Sequence, residues 1–242
     1  ADKEILKDTS YFRVFEPPST MQNARASFFH NSVGGYHGAK PRRLEQFYKL
    51  FLLNKKTALL DILNVKYVIE KKEGSYNAVE NPNNLGLAWF AEKLVFEENP
   101  DSVYMNLLKY DLRDTAIIES KNQDIINNSK ERRTSQIELL KNKTHKKIYS
   151  IKSNKPGFVV FSEMFYPGWK AEINNKEVKL HKVNFILRGL FVPKGANQIK
   201  FYFEPSSLKY GSSFQIISII VLAALIFYSS KKLILSKNRV SS

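Results

Sequence analysis

Apolar and polar positions alternate through most of the second half of the chain, whereas the first half mixes helical spacing with short extended runs. Leu44, Phe47, Tyr48, Phe51 and Leu52 recur at helical spacing, and Leu59, Leu60 and Leu63 continue it in a second short helix that Asn64 is placed to stop. Phe12 to Phe15 predicts a strand stopped by Pro17-Pro18, Val65 to Glu70 a second, and Leu87 to Phe96 another after the Asn81-Pro82-Asn83-Asn84 turn. Asp101 to Tyr110, with Pro100 just ahead of it, suits a helix. From Ser27 to Lys40, small, aromatic and polar residues gather around Gly34-Gly35 and Gly38, which predicts a loop.

Beyond Asp111 the pattern predicts strands at Thr115 to Ile118, Ile137 to Leu140, Lys147 to Ile151, Phe158 to Glu163, Trp169 to Ile173, Glu177 to Leu180, Asn184 to Val192 and Gln198 to Glu204. Ile137 to Leu140 and Lys147 to Ile151 are expected to pair as a hairpin, and Asn174-Asn175 to turn between two others. The polar run Asn122 to Arg133 reads as a solvated loop or ragged helix. In the last strand Ile199, Phe201 and Phe203 face one way and Lys200, Tyr202 and Glu204 the other, the signature of a half-buried antiparallel strand. The fold class this predicts is α+β: a mixed α/β region over 1–111 and an antiparallel β-sandwich over 112–207.

One segment breaks the period altogether. Tyr210 to Ser230 carries no charge, holds the Phe214 to Tyr228 apolar core, and gives way to Lys231 and Lys232. A stretch of about 20 such residues matches the hydrocarbon thickness a helix must cross, and a helix satisfies its own backbone there. A transmembrane helix over 210–230 and a basic tail over 231–242 are therefore expected, with the lipid bilayer as partner. Lys231, Lys232, Lys237 and Arg239 follow without an acidic residue, which puts the C-terminus in the cytoplasm and the body outside. The competing reading is a buried apolar helix of a soluble domain.

Composition adds three constraints. Cysteine is absent from the 242 residues, which excludes a disulfide framework, a thiolate metal site and a thiol nucleophile. The chain begins Ala1-Asp2-Lys3-Glu4 without a signal-like run, so either a signal was removed or this is the tail of a longer polypeptide. The formal net charge of +15 is spread along the chain, with concentrations at Lys40 to Arg43, Lys130 to Arg133, Lys141 to Lys147 and beyond the apolar segment. Such a field suits a body held near anionic lipid or phosphorylated glycolipid. Nucleic acid is not expected as a partner, because no recognised binding motif accompanies the charge.

Candidate chemistry centres on Tyr36, His37, Lys40, Arg42 and Arg43. Glycines let backbone approach a ligand, Arg grips phosphate with a fork of donors, and His37 is able to exchange a proton with a leaving oxygen. The alternative is a structural loop with solvated basic residues. Trp169, in Tyr166-Pro167-Gly168-Trp169, either stacks on a sugar ring or closes the core. Arg188 and Asn184, at even spacing on one predicted strand face, either reach a ligand or pair with Glu163 or Glu172. His30, His37, His145 and His181 lack ligand spacing, so no metal is expected. Ser162-Glu163 lacks the hydrolase elbow, and no phosphate-binding or dinucleotide loop occurs, so no cofactor is expected.

The run Phe29-His30-Asn31-Ser32-Val33-Gly34-Gly35-Tyr36-His37-Gly38-Ala39-Lys40, with Arg42 and Arg43 behind it, resembles the signature stretch of the YfhO-like bacterial membrane proteins in their Bacteroidetes form. Leu63 to Ile69, Asn83 to Phe90, Phe161 to Trp169, Arg188 to Pro193 and Phe203-Glu204-Pro205 match in the family's order and cover nearly the whole chain. The resemblance implies the extracytoplasmic C-terminal portion and last helix of a multi-spanning, GT-C type protein of the bacterial cytoplasmic membrane. Such proteins are thought to move a sugar from a polyprenyl-phosphate carrier to a cell-envelope acceptor. It also implies that the acidic catalytic residues lie on an N-terminal portion not included here, so no catalytic residue is carried over. The alternative is a non-catalytic, membrane-tethered β-sandwich that binds glycan or a protein partner.

Overall fold

The computed structural model describes residues 1–17, 21–36, 38–121 and 137–240. The predicted polar run Asn122 to Arg133, with the basic concentration from Lys130, and Pro18 of the predicted strand stop lie outside the described residues. The first half runs α1 (Asp2–Ile5), β1 (Arg13–Phe15), α2 (Arg25–Phe29), α3 (Arg42–Asn54), α4 (Ala58–Asp61), β2 (Val65–Lys72), β3 (Ser75–Glu80), β4 (Ala88–Ala91), β5 (Lys93–Glu97) and α5 (Pro100–Lys109). The second runs β6 (Thr115–Glu119), β7 (Ile137–Lys143), β8 (Lys146–Ile151), β9 (Gly157–Met164), β10 (Trp169–Ile173), β11 (Lys176–Val178), β12 (His181–Val183), β13 (Leu187–Val192), β14 (Gln198–Phe203) and α6 (Ser206–Val240). The class is α+β and mostly sheet.

Three sheets form. A small one, ordered β1-β2-β3, pairs β1 parallel to β2 and carries β3 antiparallel on its other side. A five-stranded sheet is ordered β11-β10-β14-β8-β7 and includes the expected β7–β8 hairpin. A six-stranded sheet is ordered β4-β9-β13-β12-β6-β5, so its strands come from both sides of Asp111. The last two sheets face each other through aromatic side chains: the Phe161 ring lies 4.8 Å from Phe201 and 5.1 Å from Tyr149, in edge-to-face contacts. On the other side of the six-stranded sheet, α3 and α5 bury Phe47, Leu50, Val103 and Leu107 against Ile117, Phe158 and Phe185.

The helical spacing from Leu44 is realised as α3, with Pro41 at its N-cap. Asn64, in the left-handed region, turns the chain out of α4 into β2, and its side chain donates to the Tyr11 carbonyl at 2.9 Å. Asn174 and Asn175 both take positive φ at the β10–β11 turn. Four expectations need correction. The predicted loop from Ser27 starts inside α2. Leu87 to Phe96 is two strands, broken at Glu92, whose amide and that of Lys93 both donate to the Asp114 carbonyl. β3 had no counterpart in the pattern, because its residues are mostly exposed on both faces and do not alternate. Asn184 to Val192 is not one strand: Asn184 and Phe185 adopt positive φ in the turn between β12 and β13.

By contact density the chain divides into two units, Ala1–Tyr166 with Lys170–Tyr202, and Pro167–Trp169 with Phe203–Ser242. The second contains α6, whose stretch Ser206–Tyr228 spans 23 residues at a mean hydropathy of 2.0 and buries none of it inside the protein. It is long and apolar enough to cross a membrane, and its Ile, Leu and Phe side chains are more than half exposed.

Candidate functional site

α2 ends at His30, whose buried ring bonds to Asp2 through Nε2 at 2.9 Å. Arg25 bridges Asp2 and Glu16 and lies 4.0 Å over the Tyr76 ring. The chain then threads past β1: the Val14 amide donates to the Asn31 carbonyl and the Val33 amide to the Val14 carbonyl. Gly35 takes φ +139, and a Cβ there would approach the Ser27 hydroxyl at 3.1 Å. This fixes the start of the predicted loop by close packing.

The loop's basic residues then part company. Lys40 donates to the Met21 carbonyl. Arg43 forks onto Glu119 through both carboxylate oxygens, donates to the Phe185 carbonyl at 3.1 Å and lies 4.8 Å over the Phe185 ring. Burial pushes the Glu119 carboxyl upward, but hydrogen bonds and charge from Arg43 and Lys182 outweigh it and hold its pKa below the usual value. Tyr36 is 73% exposed and Arg42 is exposed at the start of α3, so these two face solvent. His37 lies outside the described residues. Arg43→Ala is therefore expected to lower stability by about 1–2 kcal/mol, because among the described residues Glu119 then keeps only Lys182 as a cationic partner. Arg42→Ala should stay within about 0.5 kcal/mol, and denaturant melts of the two variants side by side would expose a reversed order.

Trp169 is half-buried at the start of β10, with its ring 5.4 Å from Phe203. Gly168, at φ +101, admits Pro205 so closely that a Cβ would lie 2.9 Å from it. Trp169 thus packs within the second unit, while neighbouring Tyr166 is 52% exposed.

Arg188 and Glu163 form the most unusual polar arrangement among the described residues. Between Leu187 and Arg188 the β9–β13 register jumps from Met164 to Phe161, leaving Ser162 and Glu163 in a bulge of β9. A bulge re-aims side chains, and this one points Glu163 at three cations. Lys147 lies 3.3 Å from it, and Arg13 and Arg188 each lie 3.6 Å away. The Glu163 side chain is 12% exposed, and those of Arg13, Lys147 and Arg188 are 18%, 10% and 1% exposed. Arg13 also donates to the Leu63 and Ser162 carbonyls, Lys147 to Asn142, and the Arg188 guanidinium lies 4.4 Å over the Phe201 ring. Burial pulls the Arg188 pKa down, opposed by the charge of Glu163. Tyr149, fully buried, belongs to the same group: burial and then Glu163 push its hydroxyl pKa up.

The sequence reading of Arg188 against Glu163 is thus realised as the pairing alternative. The companion expectation fails: Asn184 is in a turn, where its side-chain oxygen accepts from the Ile117 amide at 2.9 Å. Arg13, Lys147 and Tyr149 were missed. Lys147 carried a signal in its phase, since it shares the inward face of β8 with Tyr149 and Ile151. Arg13 sits in the apolar run Phe12 to Phe15, where a charge interrupts an otherwise buried strand.

A family model described as "Bacterial membrane protein YfhO" matches residues 101–215. The matched stretch begins in α5, takes in β6 to β14, and ends inside α6. No curated protein and no solved structure matches the chain.

Proposed function

We propose, for a chain that belongs by this match to the YfhO family of bacterial membrane proteins, that it forms the extracytoplasmic C-terminal part of a membrane protein of the GT-C glycosyltransferase kind. In this reading the β-rich body lies outside the cytoplasmic membrane, α6 spans it, and the basic residues from Lys231 face the cytoplasm. The observation that carries it is continuity: the family match runs without a break from the sheets into the apolar helix. Tyr36, within the glycine-rich run, and Arg42, just after it, are both exposed and are the groups suited to meet a carrier phosphate or sugar, with Arg42 supplying a fork of donors. The carboxylate that would take the acceptor's proton belongs to helices outside this chain.

Because these 242 residues hold no cysteine, single cysteines placed in them report the topology of their own segments. Tyr36→Cys in intact cells is expected to react with a membrane-impermeant maleimide, and Lys237→Cys only after permeabilisation. The opposite pattern overturns the orientation. In membranes holding the full protein, Arg42→Ala is expected to reduce sugar transfer from a polyprenyl-phosphate donor by about tenfold or more, with an unchanged melting temperature. The commitment of Lys40 and Arg43 to protein partners favours the second reading, a tethered module that binds glycan without catalysis. Under it sugar transfer is absent from the outset, with Arg42 or with alanine in its place.

A further inference from the structure

Within the group of Arg13, Lys147, Arg188 and Glu163, three positive charges meet one negative charge, a surplus of two inside the group. Burying charge without compensation is costly even where some pairing exists. The pairs are also loose. Charge-assisted contacts close to about 2.7–2.9 Å, but the three here stand at 3.3 to 3.6 Å, so Glu163 closes onto none of its partners. A second observation comes from Tyr149. Its hydroxyl is buried, has no hydrogen-bond partner among the described residues, and lies within electrostatic reach of Glu163, Arg188, Tyr11 and Arg13. A buried hydroxyl left unmatched costs about 1–3 kcal/mol.

One kind of guest relieves both conditions. An oxyanion accepts from a phenol hydroxyl, a lysine ammonium and two guanidinium groups at once, and a dianion cancels a surplus of two. We propose that the cluster of Arg13, Lys147, Tyr149 and Arg188 around Glu163 binds a dianionic phosphate group, either free or as the monoester head of a larger molecule. Arg13 and Lys147, the more exposed of the three cations, form its open side. Glu163 then serves as the counter-charge that gathers the cations when the site is empty and sets the net charge the guest must match. Arg188, held over the Phe201 ring, supplies the buried wall. The inference is independent of the sugar-transfer reading, since it requires only the body of the chain.

The test uses the full chain in detergent micelles. Its melting temperature is followed against inorganic phosphate, with chloride at matched ionic strength to remove general screening, and in a parallel arm against dodecyl phosphate below its micelle concentration. A rise with phosphate beyond that with chloride is expected. Tyr149→Phe, which removes one oxygen and keeps the ring packed between Phe161 and Phe201, is expected to weaken binding by about tenfold. Lys147→Met, which retains the apolar stem, should do the same or more. Lys93→Met, at an exposed residue on the edge strand β5, serves as control and should leave the shift intact. A response to dodecyl phosphate alone, lost in Tyr149→Phe, supports the site and assigns it to a monoester head group. Equal shifts with phosphate and chloride in both arms, or a phosphate shift that survives Tyr149→Phe and Lys147→Met, overturns the proposal.

Discussion

Glu163→Gln is expected to lower the unfolding free energy by about 3–5 kcal/mol, the loss seen when one member of a buried ionic group is removed. The replacement keeps the shape and volume of the side chain, so no cavity opens and the effect is electrostatic. What remains is three cations gathered within 4 Å of a neutral amide, with side chains between 1% and 18% exposed. At an effective dielectric of about 20, each lost attraction at such separations is worth about 4 kcal/mol. Entry of water and outward swing of Lys147 and Arg13 recover part of that, whereas Arg188 has nowhere to go.

A double-mutant cycle separates this from a general loss of packing. Arg188→Met together with Glu163→Gln removes one charge of each sign, and the pair should be less destabilising than the sum of the singles by 1 kcal/mol or more, a coupling typical of groups in one network. Denaturant titration of the four proteins in one detergent measures it. Additivity, or a loss below about 1 kcal/mol for Glu163→Gln alone, would mean that the cations are solvated and that Glu163 is a surface group. The same experiment bears on phosphate: if the site exists, added phosphate should restore stability more in Glu163→Gln than in the parent, because the surplus charge has grown.

The sequence made the strands legible because alternation reports burial directly, and it failed where tertiary packing chose the backbone. Phe185 is a case in point. Nothing in its neighbourhood predicts a positive φ for a bulky residue, yet its ring is buried 5.1 Å from Tyr104 and under Arg43, and that packing holds the turn that splits the predicted strand. Ser75 to Glu80 was invisible for the opposite reason, since an edge strand with little buried surface leaves no pattern. The candidate loop shows the same division. Its glycines and basic residues were evident, but Arg43 finds its carboxylate 76 residues away in β6, and no local spacing encodes that partnership. The charged group around Glu163 draws on β1, β8, β9 and β13, one residue from each. Such a site emerges only once the topology places those strands together.

Gly189→Ala is expected to cost about 3 kcal/mol, at the upper end of what overpacking usually does, although it adds a single methyl group. Gly189 sits in β13 between β9 and β12, opposite Val160 on one side and His181 on the other. A Cβ built there would lie 2.6 Å from Cε1 and 2.9 Å from Cζ of Phe158, and 2.9 Å from the Val159 carbonyl oxygen. Phe158 is fully buried in the core beneath α3 and α5, so its ring has little room to withdraw, and the carbonyl belongs to the neighbouring ladder. Gly195 offers the contrasting case: φ is +80 and nothing stands within 4 Å, so alanine there incurs only backbone strain of about 1 kcal/mol. Combining Gly189→Ala with Phe158→Leu should recover part of the loss by vacating the ring position, whereas adding the same Leu to Gly195→Ala should only deepen it. Melting temperatures of the four variants decide the matter. If Gly189→Ala proves no worse than Gly195→Ala, then Phe158 yields readily and the glycine inside the Arg188-Gly189-Leu190 run is not there to admit the ring. The proximity of Gly189 to Arg188 adds a functional consequence: a β13 displaced by the methyl group would move the guanidinium away from Glu163, so the same variant should also weaken the phosphate response.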